Sequence, residues 1–138
     1  MSDTIQFDLV SPERMLASLL VNSVQVPGSE GDITAMAGHM HLVTTLRPGI
    51  LTVNSEDGEQ KFVVTGGFAE VSEGITVLAE KAIACTDMTQ EDFDIMLEDA
   101  QSFYAQAKEN LESDAGLADE ASKNLSDMVA VGEKIGFT

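Results

Sequence analysis

His39 and His41 are one residue apart, so on a strand their imidazoles share a face, and a metal pair could be built on that spacing. A catalytic zinc takes three protein ligands. Three and four residues beyond His41 stand Thr44 and Thr45, and the chain has no third histidine, so no metal site is expected. Cys85, the one cysteine, lies in an apolar run without a cationic neighbour in sequence. It reads as a small buried hydrophobe, not as a low-pKa thiolate. Gly66-Gly67 is followed by strand-like sequence and by no Gly-Lys-Ser/Thr, so it is not a phosphate cradle. The acidic run from Asp87 to Asp99 lacks the glycine and alternating ligands of a calcium loop, and reads as the solvated face of a helix. The expectation is a chain with no catalytic residue, no cofactor and no metal.

The remaining dense constellation suits recognition. Val26-Pro27-Gly28-Ser29-Glu30-Gly31-Asp32 is followed by Gly38-His39-Met40-His41-Leu42. Two glycines and a proline ahead of Asp32 specify a tight turn, because glycine tolerates positive φ at little cost. Such a turn presents Glu30 and Asp32 outward at the tip of a sandwich, and loops on a rigid scaffold are the usual seat of binding. The structural alternatives are an Asx hydrogen bond for Asp32 and a backbone-bonded strand-entry histidine for His39. Gly28, Gly31 and Gly38 serve geometry.

The elements that would hold these residues change character near Asp87. From Thr4 to Cys85 short apolar or alternating runs are punctuated by turns: Ile5 to Leu9, Leu19 to Val26, Leu42 to Leu46, Ile50 to Val53, Lys61 to Thr65, Phe68 to Val71 and Ile75 to Leu78. Short strands at this spacing, with no helices between them, predict an antiparallel β-sandwich or barrel. Ser72-Glu73-Gly74 reads as a hairpin turn. Beyond it, Thr89 is a helix N-cap with Asp92 three positions on. Phe93, Met96, Leu97, Ala100, Phe103, Tyr104, Ala107 and Leu111 then recur at helical steps. Asn110 to Gly116 breaks that stripe. A second one, Leu117, Ala121, Leu125, Met128 and Val129, runs to Gly132, a sensible stop. The predicted class is α+β: a β-sandwich over residues 1–86 and an antiparallel two-helix hairpin over 87–138.

At 138 residues and 43% apolar composition, the chain can bury a core, and the absence of tryptophan leaves that core to Val, Leu, Ile, Met and Ala. A net charge of −17 disfavours nucleic acid and anionic lipid and favours partners with basic surfaces. The Met-Ser start carries no basic n-region or apolar h-region, and no stretch approaches the length of a membrane span. The chain therefore reads as soluble and cytoplasm-facing, touching a membrane only through protein partners.

Taken in order, these motifs resemble the ε subunits of F-type ATP synthases, called δ in mitochondria. The resemblance rests on Phe7-Asp8-Leu9-Val10-Ser11-Pro12, the Val26 to Asp32 loop, and Gly38-His39-x-x-Leu42-x-Thr44-x-Leu46-x-Pro48-Gly49. Gly66-Gly67-Phe68-x-Glu70-Val71 and Thr76-Val77-Leu78-Ala79-Glu80-x-Ala82 complete it. It implies a sandwich of about ten strands with two C-terminal helices. It also implies a place at the foot of the central stalk, bound to the γ subunit and the c-subunit ring, coupling proton flow to ATP synthesis without catalysis of its own. That place is peripheral, on the cytoplasmic face of a bacterial inner membrane. By the same resemblance Glu30, Gly31 and Asp32, with Gly38 and His39, face the polar loops of the c-ring. Some relatives bind ATP on the hairpin or extend basic helices toward the catalytic β subunits. Here no arginine follows Arg47, and thirteen acids beyond residue 86 face only Lys108, Lys123 and Lys134. Weak or absent inhibition of ATP hydrolysis and no ATP site are expected.

Two alternatives fit the strand pattern less well. A free-standing ligand-binding β-sandwich, such as a carbohydrate module, would display exposed aromatics, whereas Tyr104 and the six phenylalanines fall mostly at core-spaced positions. A cupin-like metal protein shares the His-x-His start, but Thr44 and Thr45 stand where its acid belongs.

Overall fold

Ile5, Phe7 and Leu9 alternate with Gln6, Asp8 and Val10. On a strand with a side-chain period of two, that order sends the first set to one face. In a computed structural model describing residues 4–38, 41–109 and 115–136, all three of the first set are buried. His39 of the expected loop and Leu111 of the expected helical stripe lie outside the described residues. The strands are β1 (Ile5–Val10), β2 (Met15–Val21), β3 (Ser23–Gly28), β4 (Gly31–Met36), β5 (Leu42–Thr45), β6 (Gly49–Ser55), β7 (Gly58–Val71) and β8 (Ile75–Ala84). The helices are α1 (Gln90–Glu109) and α2 (Ala115–Ile135).

The ladder runs β2-β1-β8-β7-β6-β3-β4, with β5 added to β7, and folds as a β-sandwich. Phe7, Leu9, Val24, Val26, Leu51 and Phe62 are among the residues that meet in one core. Each such side chain taken out of water contributes about 1.5–3 kcal/mol. The long β7–β8 hairpin holds both sides of this core together. The first half of β7 pairs with β6, its last four residues pair with β5, and β8 runs beside it from Phe62 to Val71.

Eight strands are described where the resemblance implied about ten, and two boundaries differ from those the runs suggest. Lys61 to Thr65 and Phe68 to Val71 are one 14-residue strand, because Gly66 and Gly67, with φ of 59° and 101°, bend the chain without ending it. At Gly67 a Cβ would lie 1.9 Å from the Leu78 carbonyl oxygen, so only glycine lets the two backbones approach this closely. Conversely, Leu19 to Val26 is two strands. At Asn22, whose amide donates to the Asn54 carbonyl at 2.7 Å, the chain leaves β1 and joins β6. One pairing departs from the antiparallel expectation: β1 and β8 run parallel, Phe7 opposite Ile75 through Val10 opposite Leu78.

The chain divides into two compact units, Met1–Thr86 and Asp87–Thr138. In the second, Thr89 and Asp92 form a reciprocal cap. The Asp92 amide donates to Thr89 Oγ1 at 3.1 Å, and the Thr89 amide donates to Asp92 Oδ2 at 3.2 Å. Ala107 near the end of α1 packs with Ala118 and Ala121 near the start of α2, flanked by Phe103, Tyr104 and Leu117. Neighbouring helix ends in one cluster make a hairpin. Gly132 is not the stop that its composition predicts. It is buried inside α2, which continues to Ile135, and Gly136, with φ of 83°, follows. Val129 of the expected stripe is 44% exposed, and Val131 is buried in its stead.

Candidate functional site

The Val26 to Asp32 motif folds as a two-residue hairpin. Gly28 faces Gly31, and Ser29 and Glu30 form the tip between them. Among the described residues no residue other than glycine has positive φ, and Gly31, with φ of 136°, absorbs the turn. Gly28 is needed for a different reason: a Cβ there would lie 2.6 Å from the Gly31 carbonyl oxygen and 3.3 Å from Thr44 Oγ1. Ser29, Glu30, Gly31 and Asp32 are all exposed.

This tip is stitched to the corner between β5 and β6. The Ser29 amide donates to the Thr45 carbonyl at 2.9 Å, and the Arg47 amide donates to the Pro27 carbonyl at 3.0 Å. Gly28 and Leu46 form an isolated bridge. The Arg47 side chain then reaches both strands of the hairpin, its Nε donating to the Gly28 carbonyl at 3.1 Å and its Nη2 to Asp32 Oδ1. Asp32 is thus paired with an arginine 15 residues on, not held by the expected Asx bond. Composition shows only an Arg-Pro-Gly strand end here, and nothing in that tripeptide indicates which loop its arginine grips.

Gly38, with φ of 83° and exposed, follows β4 at the end opposite the tip. At about 3.4 Å per residue, the strand sets them roughly 17 Å apart. The structure therefore brings Glu30, Gly31 and Asp32 together and leaves Gly38 apart from them.

A second surface was missed from sequence. Register places Met15 opposite Val10, Val10 opposite Leu78, and Leu78 opposite Phe68, so one transverse row crosses β2, β1, β8 and β7. Met15, Leu78 and Phe68 are 58%, 37% and 41% exposed. Phe68 is thus one of the phenylalanines outside the core. The signal was parity: Ile75, Val77 and Ala79 are buried, and Leu78 lies in the opposite phase, as Phe68 does between Gly67 and Ala69. A contiguous exposed apolar row of this kind is a candidate interaction surface. The next row is polar. Asp8 accepts from Ser18 Oγ at 2.7 Å and from Gln6 Nε2 at 3.1 Å, and these bonds, Ser18 first, hold its carboxyl below the ordinary aspartate value.

Cys85 is half-buried, and burial raises its thiol pKa, with Lys61 opposing the rise. That direction disfavours the thiolate a nucleophile needs. His41 is exposed. Among the described residues no three His, Cys, Asp or Glu side chains cluster as metal ligands would, and no helix is long and apolar enough to cross a membrane.

Residues 4–85 match the family model of the ATP synthase, Delta/Epsilon chain, beta-sandwich domain. Over 133 residues, 96% of either chain, the sequence is 52% identical to the ATP synthase epsilon chain of Ruegeria sp. (strain TM1040). It is 49% identical to that of Paracoccus denitrificans (strain Pd 1222), covering 99% of this chain and 94% of the relative. Its fold is similar to that of a chain in the cryo-EM structure of the Euglena gracilis mitochondrial ATP synthase, with a TM-score of 0.69 at 22% identity, over 96% of this chain and 82% of that one.

Proposed function

The chain belongs to the ATP synthase delta/epsilon family, and from that membership we propose that it is a central-stalk rotor subunit linking the γ subunit to the c-ring and so coupling proton flow to ATP synthesis. It is a non-catalytic chain of the synthase. The observation that carries the reading is the row of exposed Met15, Leu78 and Phe68, with the half-buried Val10 among them. A soluble sandwich that leaves such a row uncovered is suited to a helical partner, and the γ subunit is the occupant we assign to it. The unit of residues 1–86 makes the stalk and ring contacts.

The ring-facing element in this proposal is the Glu30-Gly31-Asp32 tip, whose carboxylates suit basic loops. Gly38 and His39 enter as a second, separate contact, since β4 sets Gly38 away from the tip. Stiffness suits the role: interior packing at near-crystalline density transmits strain across a joint. Residues 87–138, with ten more acids than bases, approach the catalytic β subunits unfavourably, so the hairpin inhibits ATP hydrolysis weakly or not at all. The chain acts as a peripheral component at the cytoplasmic face of a bacterial inner membrane and binds no nucleic acid.

Co-purification tests this. The full chain is expected to associate 1:1 with its γ subunit, and Phe68→Ser with Leu78→Glu to abolish that association in a chain that still folds. Retention of γ by the folded double variant would overturn the assignment.

A further inference from the structure

The β3–β6 ladder stops at Gln25, opposite Thr52, yet β3 and β4 continue together to the Gly28–Gly31 turn. Beyond Gln25 the hairpin has lost its neighbour on the β6 side, and a two-stranded hairpin alone is marginally ordered in water. The corner residues Thr45 to Arg47 fill that place with backbone bonds, but those bonds reach only Pro27, Gly28 and Ser29. The Arg47 side chain alone among these contacts also reaches β4, through Asp32, while its Nε holds the Gly28 carbonyl. The guanidinium side chain is 29% exposed and the Asp32 side chain 67%, so the pair is half-sheltered at the base of the tip.

We propose that Arg47 is the positioning residue of the partner-facing tip, and that Asp32 acts through Arg47, leaving Glu30 as the carboxylate the partner meets. The inference rests on the ring-facing role proposed above. An arginine suits this position, because its fork satisfies two acceptors at once, whereas a lysine serves one as a point charge. The consequence is pre-organisation: a tip already ordered loses less conformational entropy when a partner docks. It also matches the Asp32 charge internally, so the tip offers less negative charge than its sequence suggests.

The test uses the full chain and membranes carrying the source organism's own synthase, stripped of this subunit and then rebound. Asp32→Asn, Arg47→Gln, the double variant and Arg47→Lys are compared for salt-dependent release and for amide exchange at Gly31 to Ile33. Each single variant is expected to rebind about threefold more weakly, as a half-exposed pair allows, with faster tip exchange. The double variant is expected to rebind no more weakly than Arg47→Gln, and Arg47→Lys to fall between. Multiplying losses in the double variant would mean that Asp32 meets the partner directly, and unchanged tip exchange would mean that Arg47 does not order the hairpin. Either result overturns the proposal. Failure of the wild-type chain to rebind would instead overturn the rotor reading, while the exchange measurement still decides the clamp.

Discussion

Phe68 and Leu78 are register partners across the β7–β8 ladder, and both turn to the face away from the core. Cross-strand pairs of large apolar side chains contribute up to about 1 kcal/mol to a sheet, but these two still leave over a third of their surface in water, at 41% and 37%. Covering that surface with a partner yields more than their mutual contact does.

Leu78→Glu is therefore expected to separate folding from assembly. At 37% exposure the change loses at most the cross-strand contact with Phe68, about 1 kcal/mol, so the thermal midpoint falls by only a few degrees. Association with γ should weaken by at least about tenfold, as burying an unpaired carboxylate costs more than about 1.4 kcal/mol. Calorimetry beside a γ pull-down checks both. A variant that melted early and still bound γ would contradict the reading.

Gly67→Ala is expected to behave in the opposite way. The new Cβ would meet the Leu78 carbonyl oxygen at 1.9 Å and the Ala79 Cα at 2.9 Å, both backbone atoms that cannot swing aside. A loss of roughly 3 kcal/mol or more is expected from strain and a displaced ladder. Gly58→Ala is the control: φ there is 120°, with nothing within 4 Å of the added Cβ, so only the backbone term, about 1 kcal/mol, remains. Chemical denaturation of both variants measures the difference.

How much of this was readable from sequence depends on how local the cause is. The Thr89–Asp92 cap and the Ser72 to Gly74 turn are short-range, and both form where the pattern put them, the Ser72 amide donating to the Gly74 carbonyl at 2.9 Å. The fold class was legible because period and turn chemistry agreed over many residues. Strand boundaries at Asn22 and Gly66 were not, since one chain break is a change of partner and one apparent break is a bend. The Arg47–Asp32 pair joins residues 15 apart, and the apolar row joins four strands. Neither has a signature until register is known. The grouping of Glu30, Gly31 and Asp32 with Gly38 and His39 came from the resemblance alone; β4 carries the chain from the tip to Gly38, and His39 lies outside the described residues.

Thr89→Ala is expected to cost about 1 kcal/mol, measured on the helical unit. The substitution removes the hydroxyl acceptor of the Asp92 amide and leaves the return bond from the Thr89 amide to Asp92 Oδ2. Thr89→Ser, which keeps the acceptor, should restore most of the loss. If both substitutions cost the same, the cap is not what holds the start of α1.

Asp8 gives a pH signature. Hydrogen bonds from Ser18 and Gln6 favour its ionised form, so its native pKa is below the ordinary aspartate value of about 3.9. Its contribution is fully present above the unfolded value and disappears as pH falls through the depressed native one, so the sandwich weakens from this source only in acid. Carboxyl resonances followed by NMR should titrate lower for Asp8 than for a free aspartate, and Ser18→Ala should move the midpoint up. A midpoint unmoved by that substitution would assign the shift elsewhere.

Removing the hairpin tests the charge argument on function. For α1 and α2 to extend along a catalytic subunit bearing acidic segments, Glu91, Asp94, Glu98 and Asp99 on α1 and Asp119 and Glu120 on α2 would all have to approach like charge. Lys108, Lys123 and Lys134 are too few to reverse that field. Each approach within a Debye length, about 8 Å at physiological salt, raises the energy of the extended state. A chain ending at Thr86, the last residue of the sandwich unit, should therefore leave ATP hydrolysis by the assembled synthase within about twofold of the full chain, because an unpopulated inhibitory state has nothing to release. Raising the salt concentration should increase inhibition by the full chain, if any is seen, by screening the repulsion. A strong rise in hydrolysis on truncation would show that shape or apolar contact outweighs charge in setting the hairpin's position.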